Sequence, residues 1–332
     1  MTPTELFFAR NHGTIPEIEA AQYCLRVGGL VDTVSEFSLD AIQHDFEQVE
    51  VMAVLQCAGN RRDELAEIAP IPNELPWSAG AISNATWGGA RLKDILAAAG
   101  VKAEAQHVGF KGLDEVSRRG ETFGFGGSIP IDKALHPDTL LAYKMNGTSL
   151  TPAHGFPVRV IVPGYIGARS VKWVSEIRLQ EMPSENYFQA HAYKLFPPDV
   201  TPENVRWEEG VMLGENSLNS VICYPGEGDV VKAGLNRIAG YAIGGVNPIE
   251  KVEVSGDGGA TWQSAKLMSS NAYPWAWWLW QAQVELKPGI TQIVARAQDS
   301  AGETQPSSAE GIWNFKGYAN NAWHRINVKC VS

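Results

Sequence analysis

Cys57 ends an apolar run and is followed within five positions by a glycine and two arginines, in Val54-Leu55-Gln56-Cys57-Ala58-Gly59-Asn60-Arg61-Arg62. Neighbouring guanidinium groups favour the thiolate, which is both a nucleophile and a ligand for soft metals. The same pattern describes a buried cysteine at a strand end followed by an ordinary basic turn, since free cysteines are among the most buried residue types. A thiol enzyme also needs a partner histidine, and the chain has seven. The motif alone leaves these readings open, and with them the role of Arg61. The other cysteines, Cys24, Cys223 and Cys330, complete no CxxC or CxxCH pair, which removes zinc-ribbon, dithiol and attached c-type haem readings. Four scattered cysteines predict mostly unbridged thiols.

Three further segments carry cations. Phe7-Phe8-Ala9-Arg10-Asn11-His12 lies near the start, His154 and Arg159 flank an apolar run, and Arg169 and Lys172 follow a turn containing Gly164 and Gly167. Glycines let backbone N–H groups approach a phosphate, and nearby Arg and Lys add charge-assisted hydrogen bonds. Each segment alone reads as a tight turn or a surface stretch. Together with Cys57 they make four cationic segments in a chain of net charge −10, a balance that favours one large anionic ligand. The same net charge argues against nucleic acid as the partner, because no broad basic face is available.

These segments must be positioned by a scaffold. At 332 residues the chain is long for one domain and suits two. The runs 50–57 and 156–162 are short and rich in Val and Ile, as buried strands are. Residues 89–100 predict a helix with Leu92, Ile95 and Leu96 on one face and Gly100 as its stop. The Gly/Pro-rich run 69–89 predicts a long ordered connection. Pro197, Pro198 and Pro202 mark a linker, which sets domains at 1–200 and 201–332 with the boundary within 195–218. Beyond it, runs such as Ile249–Leu267 and Ile290–Gln305 alternate around Gly- and Asp-bearing turns, as in an immunoglobulin-like sandwich. The fold class expected is therefore α+β, a mixed α/β domain followed by an all-β one. The start has no basic, apolar leader, giving cytoplasm as the default compartment, or periplasm if a leader has been removed. The longest uncharged stretch, between Lys266 and Glu285, is interrupted by Pro274 and does not read as a membrane span.

Taken together, the segments closely resemble the sulfite oxidase family of molybdenum enzymes. The resemblance runs from FFARNHG through LQCAGNRR, LPW, GAISNATWGGARLKDIL, LLAYKMNG, HGFPVRVIVPGYIGARSVKW and AYK to NNAWHRINV. It implies a molybdopterin-binding catalytic domain and an immunoglobulin-like dimerisation domain, hence a homodimer. It implies a molybdenum–molybdopterin cofactor, and with no cytochrome b5-like segment before the molybdenum domain and no CxxCH after it, no haem is expected in this chain. By the same carry-over, Cys57 matches the cysteine whose sulfur coordinates molybdenum, and Phe8, Ala9, Arg10, Asn11 and His12 match a cofactor-contacting stretch. His154 and Arg159 match the pair that grips the pterin phosphate region, and Ser170, Val171 and Lys172 match the final contact segment. Asp114 falls near the family's cofactor-binding aspartate, in a loop that aligns less closely.

The implied oxyanion pocket comprises Arg10, Arg62, Trp77 and Tyr193. Where animal and plant sulfite oxidases carry WNLRG, this chain has WNFKG, so Lys316 stands where they have arginine and loses the bidentate fork. The implied activity is oxidation of sulfite to sulfate by oxygen-atom transfer from Mo(VI), with electrons passing to a separate acceptor, a cytochrome or oxygen. Two alternatives are a nitrate reductase-type molybdenum domain, which shares CAGNRR, and a non-catalytic binding module built on the immunoglobulin-like half. The positive charge at Lys316 favours a dianion over nitrate.

Overall fold

Alternation and burial set the two halves apart. The computed structural model describes residues 1–118, 120–268 and 273–332. Its chain divides into two units, the first Met1–Ala58, Ile82–Phe196 and Asn204–Gly214, the second Gly59–Ala81, Pro197–Glu203 and Glu215–Ser332. The expected linker region thus contributes to both units, and the turn after Cys57 is counted with the C-terminal one.

The first unit holds two sheets. One runs in the order Ser35–Ser38, Cys24–Gly29, Val174–Gln180, His107–Gly112, Gly126–Pro130. Only the pairing of Cys24–Gly29 with Val174–Gln180 is parallel in that sheet. The other runs Thr148–Ser149, Leu140–Met145, Ile82–Arg91, Gln48–Gln56, with Arg159–Ile161 also pairing Leu140–Met145. Leu25, Val27, Phe110 and Ile177 of the first sheet share one apolar core with Ala90, Leu141 and Val160 of the second. The helix Leu92–Ala99 joins that core through Leu92, Ile95, Leu96 and Ala99, the i, i+3, i+4, i+7 face predicted for it, and Gly100 caps it with a positive φ.

The expected long connection is shorter than its composition suggested. It ends at Ala81, and Ile82–Arg91 is a strand pairing antiparallel with Gln48–Gln56 on one side and Leu140–Met145 on the other. Because that central strand is buried on nearly every residue, it lacks the alternation that marks a half-exposed strand.

The second unit is a β-sandwich. One sheet runs Asn219–Tyr224, Gly234–Ile243, Trp278–Leu286, Lys266–Leu267. Its partner runs Val230–Lys232, His324–Val331, Gly289–Asp299, Ile249–Ser255, Gln263–Ser264. Trp278 and Trp280 alternate with exposed Leu279 and enter the core with Ile238, Val252, Ile293 and Ile326, so two of the tryptophans in the 275–280 run are packing residues. The hairpin expected after Ser255 returns only as Gln263–Ser264. Among the described residues no helix is long and apolar enough to cross a membrane. Residues 269–272 of the long uncharged stretch lie outside the described residues.

Candidate active site

Cys57 follows directly on the strand Gln48–Gln56 and lines a cavity of the first unit. The cavity, its open mouth included, takes in about 730 Å³ of non-atom space. The sequence-predicted residues Phe8, Ala9, Arg10, Asn11 and His12 line it, and so do Asp114, His154, Arg159, Ser170, Lys172 and Tyr193. Residues dispersed over most of the first unit's sequence therefore converge on one space. Val171 is the exception: its side chain is in the apolar core, and its carbonyl accepts from Val160 N at 2.8 Å. No disulfide joins any of the four cysteines.

The cationic side of the cavity is built around Arg159. Its guanidinium is wholly buried, with Nη1 donating to the carbonyl of His154 at 2.9 Å and Nη2 to that of Ser170 at 3.0 Å. It lies 5.0 Å from the ring centroid of Trp87. No carboxylate pairs with it among the described residues, its Nε has no partner, and burial holds its pKa down to about 9. A buried charge without a counter-ion is costly, so this arrangement suits an anion that the polypeptide does not itself provide.

Lys172 stands alongside, its Nζ donating to the carbonyl of Ala153 at 2.8 Å and to Asn11 Oδ1. Burial and then the repulsion of Arg159 lower its pKa to about 7. His154 is held neutral by burial, and its Nε2 donates to the carbonyl of Thr4 at 3.1 Å, which fixes the tautomer. Gly155 makes the close approach possible. With φ +106, a Cβ there would lie 3.0 Å from Arg159 Cβ and 3.1 Å from Lys172 Cγ. Asp114 is buried, which raises its pKa, and its Oδ1 accepts from Phe125 N at 3.0 Å. With Arg10, Arg159 and Lys172 against Asp114, the lining carries three cations and one carboxyl group.

The opposite chemistry is a proton site. Tyr193 terminates the π-helix Phe188–Ala192, and its hydroxyl is 2.8 Å from His12 Nε2. His12 is stacked on Phe125 at 5.4 Å and tilted against Phe188 at 4.3 Å. This aromatic packing fixes a Tyr–His pair at the cavity. Nothing in the sequence separated Phe125 and Phe188 from ordinary core aromatics, and they were not anticipated.

Arg62, Trp77 and Lys316 belong to the second unit. A Cβ at Gly59 would sit 2.2 Å from Arg62 Nη2, so a side chain there would push the guanidinium aside. Arg62 Nη1 donates to the carbonyl of Leu75 at 2.6 Å and Nε to that of Lys316 at 3.1 Å. Lys316 Nζ pairs with Glu74, whose other oxygen is 3.7 Å from Arg62 Nη2. Arg61 has a structural part. Fully buried and left-handed at φ 64, it makes a two-bond pair with Glu64 and donates to Asn219 Oδ1 and the carbonyl of Ala322. It holds the turn and makes no contact that calls for a ligand.

The donor set fits a metal delivered by a cofactor. Among the described residues no three His, Cys, Asp or Glu side chains converge as a metal cluster. One cysteine thiol on the cavity wall and an uncompensated buried guanidinium suit a group that brings its own phosphate and most of its own metal ligands.

The chain is similar to known proteins over nearly its whole length. Residues 12–188 match the family described as oxidoreductase molybdopterin binding domain, and residues 211–331 that described as Mo-co oxidoreductase dimerisation domain. Sulfite oxidase of Gallus gallus is 43% identical over 98% of this chain and 72% of its own length. Mitochondrial sulfite oxidase of Homo sapiens is 42% identical over 99% of this chain, which spans 61% of that relative. The crystal structure of the sulfane dehydrogenase SoxCD from Paracoccus pantotrophus superposes with a TM-score of 0.85 at 27% identity, covering 99% of this chain and 81% of that one.

Proposed function

Because the chain belongs to the sulfite oxidase family of molybdopterin oxidoreductases, we propose that it oxidises sulfite to sulfate and passes the electrons to a separate acceptor, a cytochrome or oxygen. The observation that carries this reading is the convergence of Cys57, Arg159, Lys172 and the His12–Tyr193 pair on one cavity. The cofactor is molybdopterin with its molybdenum, and when bound it supplies the oxygen-atom transfer and the two-electron chemistry.

The chain's own residues do the rest. Cys57 presents its sulfur to the metal. Arg159 and Lys172 hold the anionic end of the pterin, where Arg159 Nε has a donor to offer, and neutral His154, its Nε2–H committed to Thr4 O, walls the cavity beside them. Arg62 and Lys316 supply the fixed positive charge that the sulfite anion needs once it leaves water, and Arg10 adds its own to the cavity lining. Tyr193 Oη donates to a substrate oxygen and holds or passes a proton through His12 Nε2. Trp77 walls the anion site. The second unit carries the dimerisation domain, and the protein works as a homodimer.

Molybdenum-loaded protein is expected to reduce ferricyanide when sulfite is added. Viologen-driven nitrate reduction without sulfite oxidation would contradict the assignment and favour the nitrate reading.

A further inference from the structure

The expected anion-binding cations of the second unit already have a carboxylate. Lys316 Nζ contacts Glu74 Oε1, and Glu74 Oε2 lies 3.7 Å from Arg62 Nη2, outside hydrogen-bond range. Arg62 and Lys316 bring two positive charges and Glu74 one negative, so the cluster carries +1 where the cations alone would carry +2. Nothing else in the cluster needs the carboxylate. Arg62 is anchored by the carbonyls of Leu75 and Lys316, and Gly317 packs on its stem, where a Cβ would be 2.5 Å from Arg62 Cγ. The Lys316 backbone is therefore fixed whichever way its amine points.

The loop bearing Glu74 is fixed too. Its backbone is tied to the adjacent turn by Arg61 N donating to Ser78 O and Asp63 N donating to Trp77 O, both at 3.1 Å. Glu74 and Lys316 side chains keep 21% and 19% of their exposure, so solvent and small ions reach the pair. The pair is about one-fifth exposed on each side, so a competing anion can approach it from solvent.

We propose that Glu74 is an internal counter-anion that sets affinity at this site: its carboxylate occupies the charge of Arg62 and Lys316, and a small oxyanion gains those charges by displacing it. Only the Glu74 side chain has to move, and no bond or proton is exchanged. A dianion competes with the single carboxylate charge better than a monoanion does, so Glu74 also discriminates by charge. The proposal rests on the reading of Arg62 and Lys316 as anion-binding residues.

The test compares wild type, Glu74→Gln and Glu74→Asp as full-length protein. Sulfate is titrated by calorimetry, and sulfite kinetics are measured on the molybdenum-loaded forms. Glu74→Gln is expected to lower the sulfate Kd and the sulfite KM together by roughly tenfold, the screened effect of removing one competing charge, with kcat unchanged or lower. Glu74→Asp, which keeps the charge, should stay near wild type. Unchanged or weaker sulfate binding in Glu74→Gln overturns the proposal, as does equal tightening in Glu74→Asp. Since the titration needs no turnover, the two claims separate. Tighter sulfate in a protein inert towards sulfite sustains the role of Glu74 and sinks the assigned activity. Sulfite oxidation with an unaltered sulfate Kd in Glu74→Gln does the reverse.

Discussion

Arg159 and Lys172 are two cations, one buried and one largely so, that make no ion pair with a carboxylate among the described residues, and each is shifted towards its neutral form by burial. An anionic group in the cavity would restore the charge of Lys172 and pair Arg159. Lys172→Met keeps the length of the side chain and removes the charge. Molybdenum and pterin content per purified chain is expected to fall by about tenfold, the value of a charge-assisted contact or two, and Lys172→Arg to retain more of it. Elemental analysis of the metal checks this. At this scale the sequence was informative where a residue type is chemically distinctive. Cys57, His154, Arg159 and Lys172 were identifiable from their motifs and meet at one cavity. Glu74 was not, because a lone glutamate in a loop has no pattern; only its approach to Lys316 marks it.

The elements explain why those motifs converge. Gln48–Gln56 delivers Cys57 at its end, and the helix Leu92–Ala99 buries its apolar face in the core beneath the sheets. Ile95→Ala should cost about 3 kcal/mol, as deletion of a fully buried aliphatic side chain does, read from denaturant midpoints at constant m-value. That helix was legible from its period and its glycine stop. The strand Ile82–Arg91 was not, because it is buried on both faces and built from Ser, Asn, Ala, Thr and Gly, a composition that imitates a loop.

In the second unit, His324 opens the last strand and is buried, with Nδ1 accepting from Ile222 N at 3.2 Å. Burial, then the nearby Arg61, lowers its pKa to about 4. Below the ordinary histidine value of 6.5 the unfolded chain binds a proton that the folded one refuses until pH about 4. Stability held above pH 6.5 is therefore lost as the pH falls towards 4. His324→Gln should flatten the pH dependence of thermal unfolding across that window, and an unchanged slope would refute the account.

For the whole molecule, an acidic chain of net charge −10 keeps Arg10, Arg159 and Lys172 around one cavity, which is what an anionic cofactor and an anionic substrate both require. The division into an α/β part and a sandwich could be seen in the change of texture along the sequence, because alternation and turn chemistry are local. The contribution of residues 59–81 to the second unit could not, because it depends on contacts such as Arg61 with Asn219 and Ala322, far apart in the chain. In the proposed function Cys57 is the link between polypeptide and metal. Its most direct test is sulfite-dependent ferricyanide reduction by wild type and Cys57→Ser at matched pterin loading. The prediction is turnover in wild type and a loss of about a hundredfold or more in Cys57→Ser, since replacing a metal ligand costs at least as much as disturbing the groups behind it. Equal rates in the two proteins, or no sulfite oxidation by fully loaded wild type, would contradict it.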